Sequence, residues 1–284
     1  MIRLVGILVG LGFTFVVLLT FVVGAYTAAT EPAEETAEHA FHLDPRDDAH
    51  FAFEGVVGHW DVAQLQRGFK VYKEVCSACH SLKQVAFRNL GEIGYSEAQV
   101  KAEAASWTVP GIDPNTGEAT TRPGVPTDSF PSPYPNSIAA AAANNNAIPP
   151  DLSLMAKARH DGPHYIHSLL TGYQEPSAEL VERFPDSVPG TGLYHNPYFA
   201  NLNLAMAPPL TTAGQVTFDD GTEATVDQMS QDVAAFLTWT AEPTLIKRKQ
   251  TGWPVLGFIL FATILAWFAK KQVWSSMKPT RRKD

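Results

Sequence analysis

The chain has 284 residues, enough for one or two domains, and 45% of them are hydrophobic, which permits a sizeable buried core. Its net charge of −8 is uneven: nine Lys or Arg against one Asp from Lys247 onward give +8, while twelve basic and 28 acidic side chains leave residues 1–246 at −16. So acidic a body argues against nucleic-acid binding and leaves plain solubility or a dock for a basic partner.

The uncharged run Leu4–Ala25, behind the single basic residue Arg3, has about the length that crosses a bilayer. It reads as a signal peptide cut near Tyr26–Thr30 or as a retained anchor. Its apolar stretch is long for a signal core, and the small-residue cleavage site is imperfect. Both readings export residues 30–250. Residues 31–48, "EPAEETAEHAFHLDPRDD", are acidic and weakly periodic, which predicts an extended arm or linker.

In residues 61–76, Val62, Leu65, Phe69, Tyr72 and Cys76 recur at steps of three and four. That spacing predicts an amphipathic helix delivering the cysteines to the core. Ser96 with Gln99 predicts a capping box before a short helix. Residues 108–150 are rich in Pro, Gly, Asn and Asp and predict no regular element; so long a loop usually has a job. "PPDLSLMAKA" and "GPHYIHSLLTGY" predict two short helices, the second with Pro163 in its first turn. Residues 184–210 predict irregular chain, and "GQVTFDDGTEATV" (214–226) a short hairpin.

Residues 225–243 predict a helix capped by Thr225, with Gln228 at the capping-box position and Pro243 ending it. Its inner face is Val226, Met229, Val233, Phe236, Leu237 and Thr240, and it should cross the helix at 61–76. Last comes the uncharged run Thr251–Ala269, with Trp253, Trp267 and Trp274 at interfacial positions and Lys270, Lys271, Lys278, Arg281, Arg282 and Lys283 behind it. The positive-inside rule puts its C-terminal end in the cytoplasm. The expected division is 1–29 signal or anchor, 30–250 exported domain, 251–270 transmembrane helix and 271–284 basic tail.

Cys76 and Cys79 are the two cysteines of the chain. Cys-x-x-Cys serves thiol redox chemistry, half a zinc site, or thioether attachment of haem. Zinc normally takes four protein ligands, and here only histidines could complete the set. A thioredoxin-like site expects βαβ units, which the pattern does not offer. His80, directly behind Cys79, selects the third use: the thiols add to the haem vinyls and the imidazole ligates the iron. A second axial ligand would close the iron to substrates and leave electron transfer. Met1 and Met277 sit at membrane ends, and Met155 and Met229 fall on helical apolar faces. Met206 remains, in "LAMAPPL", stiffened by Pro208 and Pro209. Its thioether would favour Fe(II) and raise the potential. His195 is a competing ligand. His160, His164 and His167 have a spacing that fits a metal site, and fit equally well as surface or core residues. Arg159 is either a propionate partner or a surface arginine.

"VYKEVCSACHSL", "FPSPYPN", "AIPPDLSLMAKARH", "YIHSLLTGY", "LYHNPYF", "AMAPPL" and "FDDGTEATVDQMSQDVAAFLTW", with the C-terminal apolar run, resemble the cytochrome c1 family of the cytochrome bc1 complex. They occur in the family's order over roughly residues 50–275, and short details are similar to alphaproteobacterial members. The resemblance implies one haem c joined through Cys76 and Cys79, with His80 and Met206 axial. It implies that Asn144, Ala147, Pro149, Pro150, Met155, Arg159, Tyr165, Leu169, Leu170, Phe199 and Leu204 line the haem, Arg159 and Tyr165 facing the propionates. The expected fold is mainly α: a cytochrome-c-like haem domain with long irregular loops, plus a C-terminal transmembrane helix. The implied role is a redox subunit, binding no quinone and not catalytic alone, of a quinol–cytochrome c oxidoreductase. It would take electrons from the Rieske iron–sulfur protein and pass them to a cytochrome c, in a dimeric complex with cytochrome b. The implied place is the bacterial inner (plasma) membrane, with the haem domain in the periplasm. A free-standing, membrane-tethered cytochrome c shuttle and a haem enzyme with an open coordination site are the rival readings. "FANLNLAMAPP" lacks the glycine-rich run common in the family, and His195 replaces a usual aromatic. No cysteine remains to brace that loop, so packing alone must hold Met206.

Overall fold

The computed structural model describes residues 2–31, 34–275 and 277; the basic residues Lys278, Arg281, Arg282 and Lys283 lie outside them. As expected, the chain is mainly helical, with small two-stranded sheets. Two apolar helices, α1 (Ile2–Thr30) and α10 (Leu245–Ser275), are each long and apolar enough to cross a membrane. Helix α10 starts before the expected Thr251, and its first turns tie it to the body. Leu245 is buried, and Lys249 Nζ donates to the carbonyls of Phe53 (3.0 Å) and Gly55 (2.8 Å).

The core forms where α3 (Val62–Glu74) crosses α9 (Val226–Ala241), as their apolar faces predict. Gly68 makes the close approach possible: a Cβ there would lie 2.0 Å from the Asp232 carbonyl oxygen. Leu65, Phe69 and Tyr72 on α3, and Met229, Val233, Phe236 and Leu237 on α9, are buried. Val62, expected on the inner face, is 42% exposed in the first turn, well ahead of the crossing. Beside the crossing, Arg67 donates to the fully buried Asp232 (2.8 Å) and to Asp220 (2.7 Å). Thr225 caps α9 by accepting from Gln228 N (3.0 Å), but Gln228 does not close the capping box; its amide donates to Asp232 (2.8 Å). The Ser96–Gln99 box ahead of α4 (Glu97–Ala105) does close.

Three expectations need correcting. Residues 108–150 hold regular elements: strands β1 (Thr108–Ile112) and β2 (Ala119–Pro123) pair antiparallel, and α5 (Ser137–Ala143) follows, capped by Asn136. Pro110 and Pro123 lie within these strands, since a two-stranded ribbon has only edges, which tolerate proline. Residues 214–226 do not form a hairpin. Val216 and Phe218 turn into the core, and Asp219 and Asp220 are taken by Lys70 and Arg67 of α3. Nor is the 31–48 segment an extended arm or linker over residues 34–48. It contains α2 (Ala37–Phe41), capped by Thr36, and is docked on the body.

The remaining elements are short. Helices α6 (Met155–Ala158) and α7 (Gly162–Thr171) fall where expected, with Pro163 in the first turn of α7. Helix α8 (Ala178–Arg183) precedes the mostly irregular 184–210 stretch, in which β3 (Tyr194–His195) pairs with β4 (Asn203–Leu204).

Candidate functional site

The Cys-x-x-Cys-His segment leaves the end of α3. The α-helix stops at Glu74, earlier than the expected Cys76, and the chain tightens into a 3-10 turn, Cys76–Ala78. Ser77 Oγ donates to Lys73 O (2.7 Å), His80 N donates to Cys76 O (2.9 Å), and Tyr72 Oη donates to His80 O (3.1 Å). Both cysteines are free thiols. Burial, then the neighbouring Cys79, pushes the Cys76 thiol up to about 12. Tyr134 Oη lies 3.7 Å from Cys79 Sγ, reaching the motif from the "FPSPYPN" segment.

The His80 ring is oriented by one contact: Nδ1 lies 2.8 Å from the Pro150 carbonyl oxygen. A carbonyl can only accept, so Nδ1 carries the proton and Nε2 keeps its lone pair. Burial lowers the pKa of His80, opposed by the Pro150 bond and by Asp151. The result is a neutral imidazole with its tautomer set, which is what a metal-ligating histidine requires.

Pro150 is held in place by a polar stitch. Asp151 Oδ2 accepts from Ser81 Oγ (2.7 Å) and Lys83 N (2.8 Å), and Oδ1 accepts from Ser153 N (2.9 Å). Leu152 N donates to Ser81 O (2.9 Å), and Gln84 N to Ser153 Oγ (3.1 Å). Burial opposes the charge on Asp151, but the bonds from Lys83, Ser153 and Ser81 outweigh it and hold the carboxyl below its usual range. Asp151 and Ser153 had no role in the sequence reading. Their only cue is their place directly after Pro149–Pro150.

Met206 lies beyond β4, half-buried, and packs against the main core, as do Cys76, Met155 and Tyr165. Tyr173 Oη donates to the Met206 carbonyl (3.1 Å). Burial raises the Tyr173 pKa, so the phenol stays a donor. Leu202, just upstream, is 1% exposed with φ 60°. Asn196 N donates to Leu202 O (2.7 Å), and Leu202 N to Phe199 O (2.8 Å). His195, the competing ligand, is buried, with Nδ1 3.4 Å from Asn203 Oδ1.

Leu170 and Leu204 are buried, whereas Asn144, Ala147, Pro149, Leu169 and Phe199 are half-buried. Asn144 donates to Ala140 O (2.7 Å), and the Leu169 carbonyl accepts from Asn196 (2.7 Å). Arg159 is exposed, its guanidinium 6.0 Å from the Tyr165 ring centroid. The three spaced histidines are not brought together. His160 is exposed beside Asp161, His164 Nε2 is 2.7 Å from Glu54, and His167 Nε2 is 2.9 Å from Asp227. Among the described residues, no group of three or more His, Cys, Asp or Glu is placed to hold a metal ion.

Residues 51–277 match the Cytochrome C1 family. The chain belongs to the cytochrome c1 family. It is 42% identical to "Cytochrome c1" of Rhodospirillum rubrum, an alphaproteobacterium, over 93% of this chain and 99% of that protein. It is 40% identical to "Cytochrome c1-2, heme protein, mitochondrial" of Solanum tuberosum over 88% of this chain and 92% of that protein. It is 46% identical to "Cytochrome b/c1" of Bradyrhizobium diazoefficiens over 79% of this chain, a match covering 35% of that longer protein. Membership of this family implies a haem c cofactor and a redox role in the bc1 complex, an oxidoreductase. The residues present suit that group: two free thiols on one turn, a neutral imidazole with its Nε2 lone pair available, and a thioether on a separate loop.

Proposed function

We propose that the chain holds one haem c covalently through Cys76 and Cys79, with His80 and Met206 as axial ligands. On this reading it passes electrons from the Rieske iron–sulfur protein to a cytochrome c. The observation that carries the reading is the Pro150-bonded His80 ring directly behind the two thiols. When bound, haem c supplies a one-electron iron couple. The chain's part is to bind, orient and enclose. Cys76 and Cys79 tether, and the Pro150 carbonyl fixes the tautomer that presents His80 Nε2. The Met206 thioether would be the second iron ligand and would leave no position open to substrate, so no acid, base or nucleophile is needed. Arg159 and Tyr165, whose guanidinium and ring centroid are 6.0 Å apart, would face the propionates. The other residues of the lining are Asn144, Ala147, Pro149, Pro150, Met155, Leu169, Leu170, Phe199 and Leu204.

Within a dimeric complex, α10 packs beside cytochrome b. Support comes from the Bradyrhizobium relative, whose printed name joins b and c1 in a single polypeptide. The haem domain lies in the periplasm and the end of α10 in the cytoplasm, a reading supported by Lys270 and Lys271 behind the apolar run. The subunit binds no quinone and is not catalytic alone.

The test is Met206→Leu in the purified complex. The pyridine haemochrome should remain that of a haem with two thioethers. The thioether-to-iron(III) absorption should vanish and the midpoint potential should fall. An unchanged absorption and potential would remove Met206 from the iron. Isolation without cytochrome b would favour the free-standing shuttle.

A further inference from the structure

We propose that residues 34–48 act as a strap that positions the Met206 loop against α7. The inference rests on Met206 being the second axial ligand, and concerns what keeps it in place.

The upstream half of the strap grips Leu202. Ala37 of α2 packs with Leu180 and Leu202 in a hydrophobic cluster separate from the main core. Phe41 and Phe184 close that cluster edge to face, with centroids 6.0 Å apart. Arg183 binds Glu35 at 2.6 Å across its rim. Leu202 adopts a left-handed backbone, which a leucine holds only when its surroundings determine it. Its surroundings are the backbone bonds to Asn196 and Phe199 and the cluster that α2 completes. The chain then runs through β4 directly into Met206.

The downstream half bridges the 184–210 stretch and α7. Leu43 N donates to Pro197 O (2.9 Å), and Arg46 N to Ser168 Oγ (2.8 Å). The Arg46 guanidinium reaches Thr171 Oγ1 and lies 5.6 Å from the Tyr198 ring centroid. Helix α7 carries Tyr165 and Leu169, assigned above to the haem lining. One short segment therefore joins α7 to the loop that supplies the thioether.

Two perturbations of the full chain in the purified complex test this: Phe41→Ala, and a protease site inserted between Leu43 and Asp44 and cut after assembly. The cut leaves folding and haem attachment complete beforehand. Both should weaken the thioether-to-iron(III) absorption and lower the midpoint potential. Amide exchange at residues 202–204 should rise about tenfold or more, and the haemochrome should not change. If Met206→Leu abolishes the absorption while both perturbations leave absorption, potential and exchange at wild-type values, the strap is refuted. If Met206→Leu changes nothing, the ligand assignment fails instead. The strap then stands or falls on exchange at residues 202–204, where an unchanged rate refutes it.

Discussion

Replacing Asp151 should disturb His80 without touching it. Asp151→Ala deletes the acceptor of three hydrogen bonds, from Ser81 Oγ, Lys83 N and Ser153 N. Bonds to a charged acceptor contribute about 1.5–3 kcal/mol each. Asp151 is only half-buried, so solvent screening cuts that sum, and the Leu152 N to Ser81 O bond survives. The net local loss should be about 2–4 kcal/mol. Asp151→Asn keeps the shape but one acceptor oxygen, and should lose about half as much. The Pro150 carbonyl then wanders from His80 Nδ1, and on the proposed ligation the imidazole becomes a weaker donor to iron, which shifts the midpoint potential. Native-state hydrogen exchange at Lys83, Leu152 and Ser153 reads the stitch, and redox titration reads the consequence. The carboxyl sits below its usual range, so its stabilisation is complete above the unfolded value. It is lost as pH falls through the lowered folded value, in a window below about pH 4. In Asp151→Ala, the part of that acid response read at Lys83, Leu152 and Ser153 that comes from Asp151 should be lost. Wild-type exchange and potential in Asp151→Ala would refute the claim that the stitch orients His80.

Gly68→Ala should destabilise the haem domain, because the new Cβ would meet the Asp232 carbonyl at 2.0 Å and Phe236 Cβ at 2.7 Å. Forcing α3 and α9 apart should cost about 1–3 kcal/mol or more; an unchanged Tm of the detergent-solubilised protein would contradict the close crossing. Arg67→Ala leaves the Asp232 carboxylate buried without its cation, at a cost of about 3 kcal/mol at neutral pH. Burial already raises the Asp232 pKa despite Arg67, and removing Arg67 raises it further. A raised carboxyl destabilises the folded state as pH rises from the unfolded value through the folded one. The Tm gap between variant and wild type should therefore narrow on acidification from pH 7 to about 5, and a gap that widens would reverse the argument.

The readable parts were those where one short window carries the physical constraint. Apolar steps of three and four foretold the α3–α9 crossing, and Cys-x-x-Cys-His marks the turn proposed above for attachment. Gly68, inside the same window, gave no such notice, because its value depends on where Asp232 arrives. The ribbon at 108–123 escaped because β2 is exposed throughout and "ATTRP" carries no apolar alternation. "QVTF" misled in the opposite sense: its alternation serves burial against the core, with no partner strand. Asp151 could not be found from its neighbours, since it works on residues 81 and 83, which only the tertiary fold brings alongside. The strap was obscured by composition. Its acidic residues suggest an unattached arm, while Ala37 and Phe41, which anchor it, are too few to make a periodic pattern.

His80 and Met206 are held by different kinds of force, and the difference follows from the ligands themselves. An imidazole has a second nitrogen, so the protein can orient it by a hydrogen bond, and here that bond belongs to a network centred on one carboxylate. A thioether is a weak acceptor with no second polar handle, so only its backbone and its packing can place it. That is where the constraints lie on the Met206 side: the Tyr173 bond to its carbonyl, the left-handed Leu202, and the cluster beneath it. Acid should therefore act on the His80 side through Asp151. Lost apolar contacts should act first on the Met206 side. On the proposed ligation, the thioether is also the ligand whose loss would open the iron, so a loop fixed through its backbone and packing alone is where an electron carrier's closed site is least secure. An ordered strap far from the attachment motif thus bears on whether the iron stays closed.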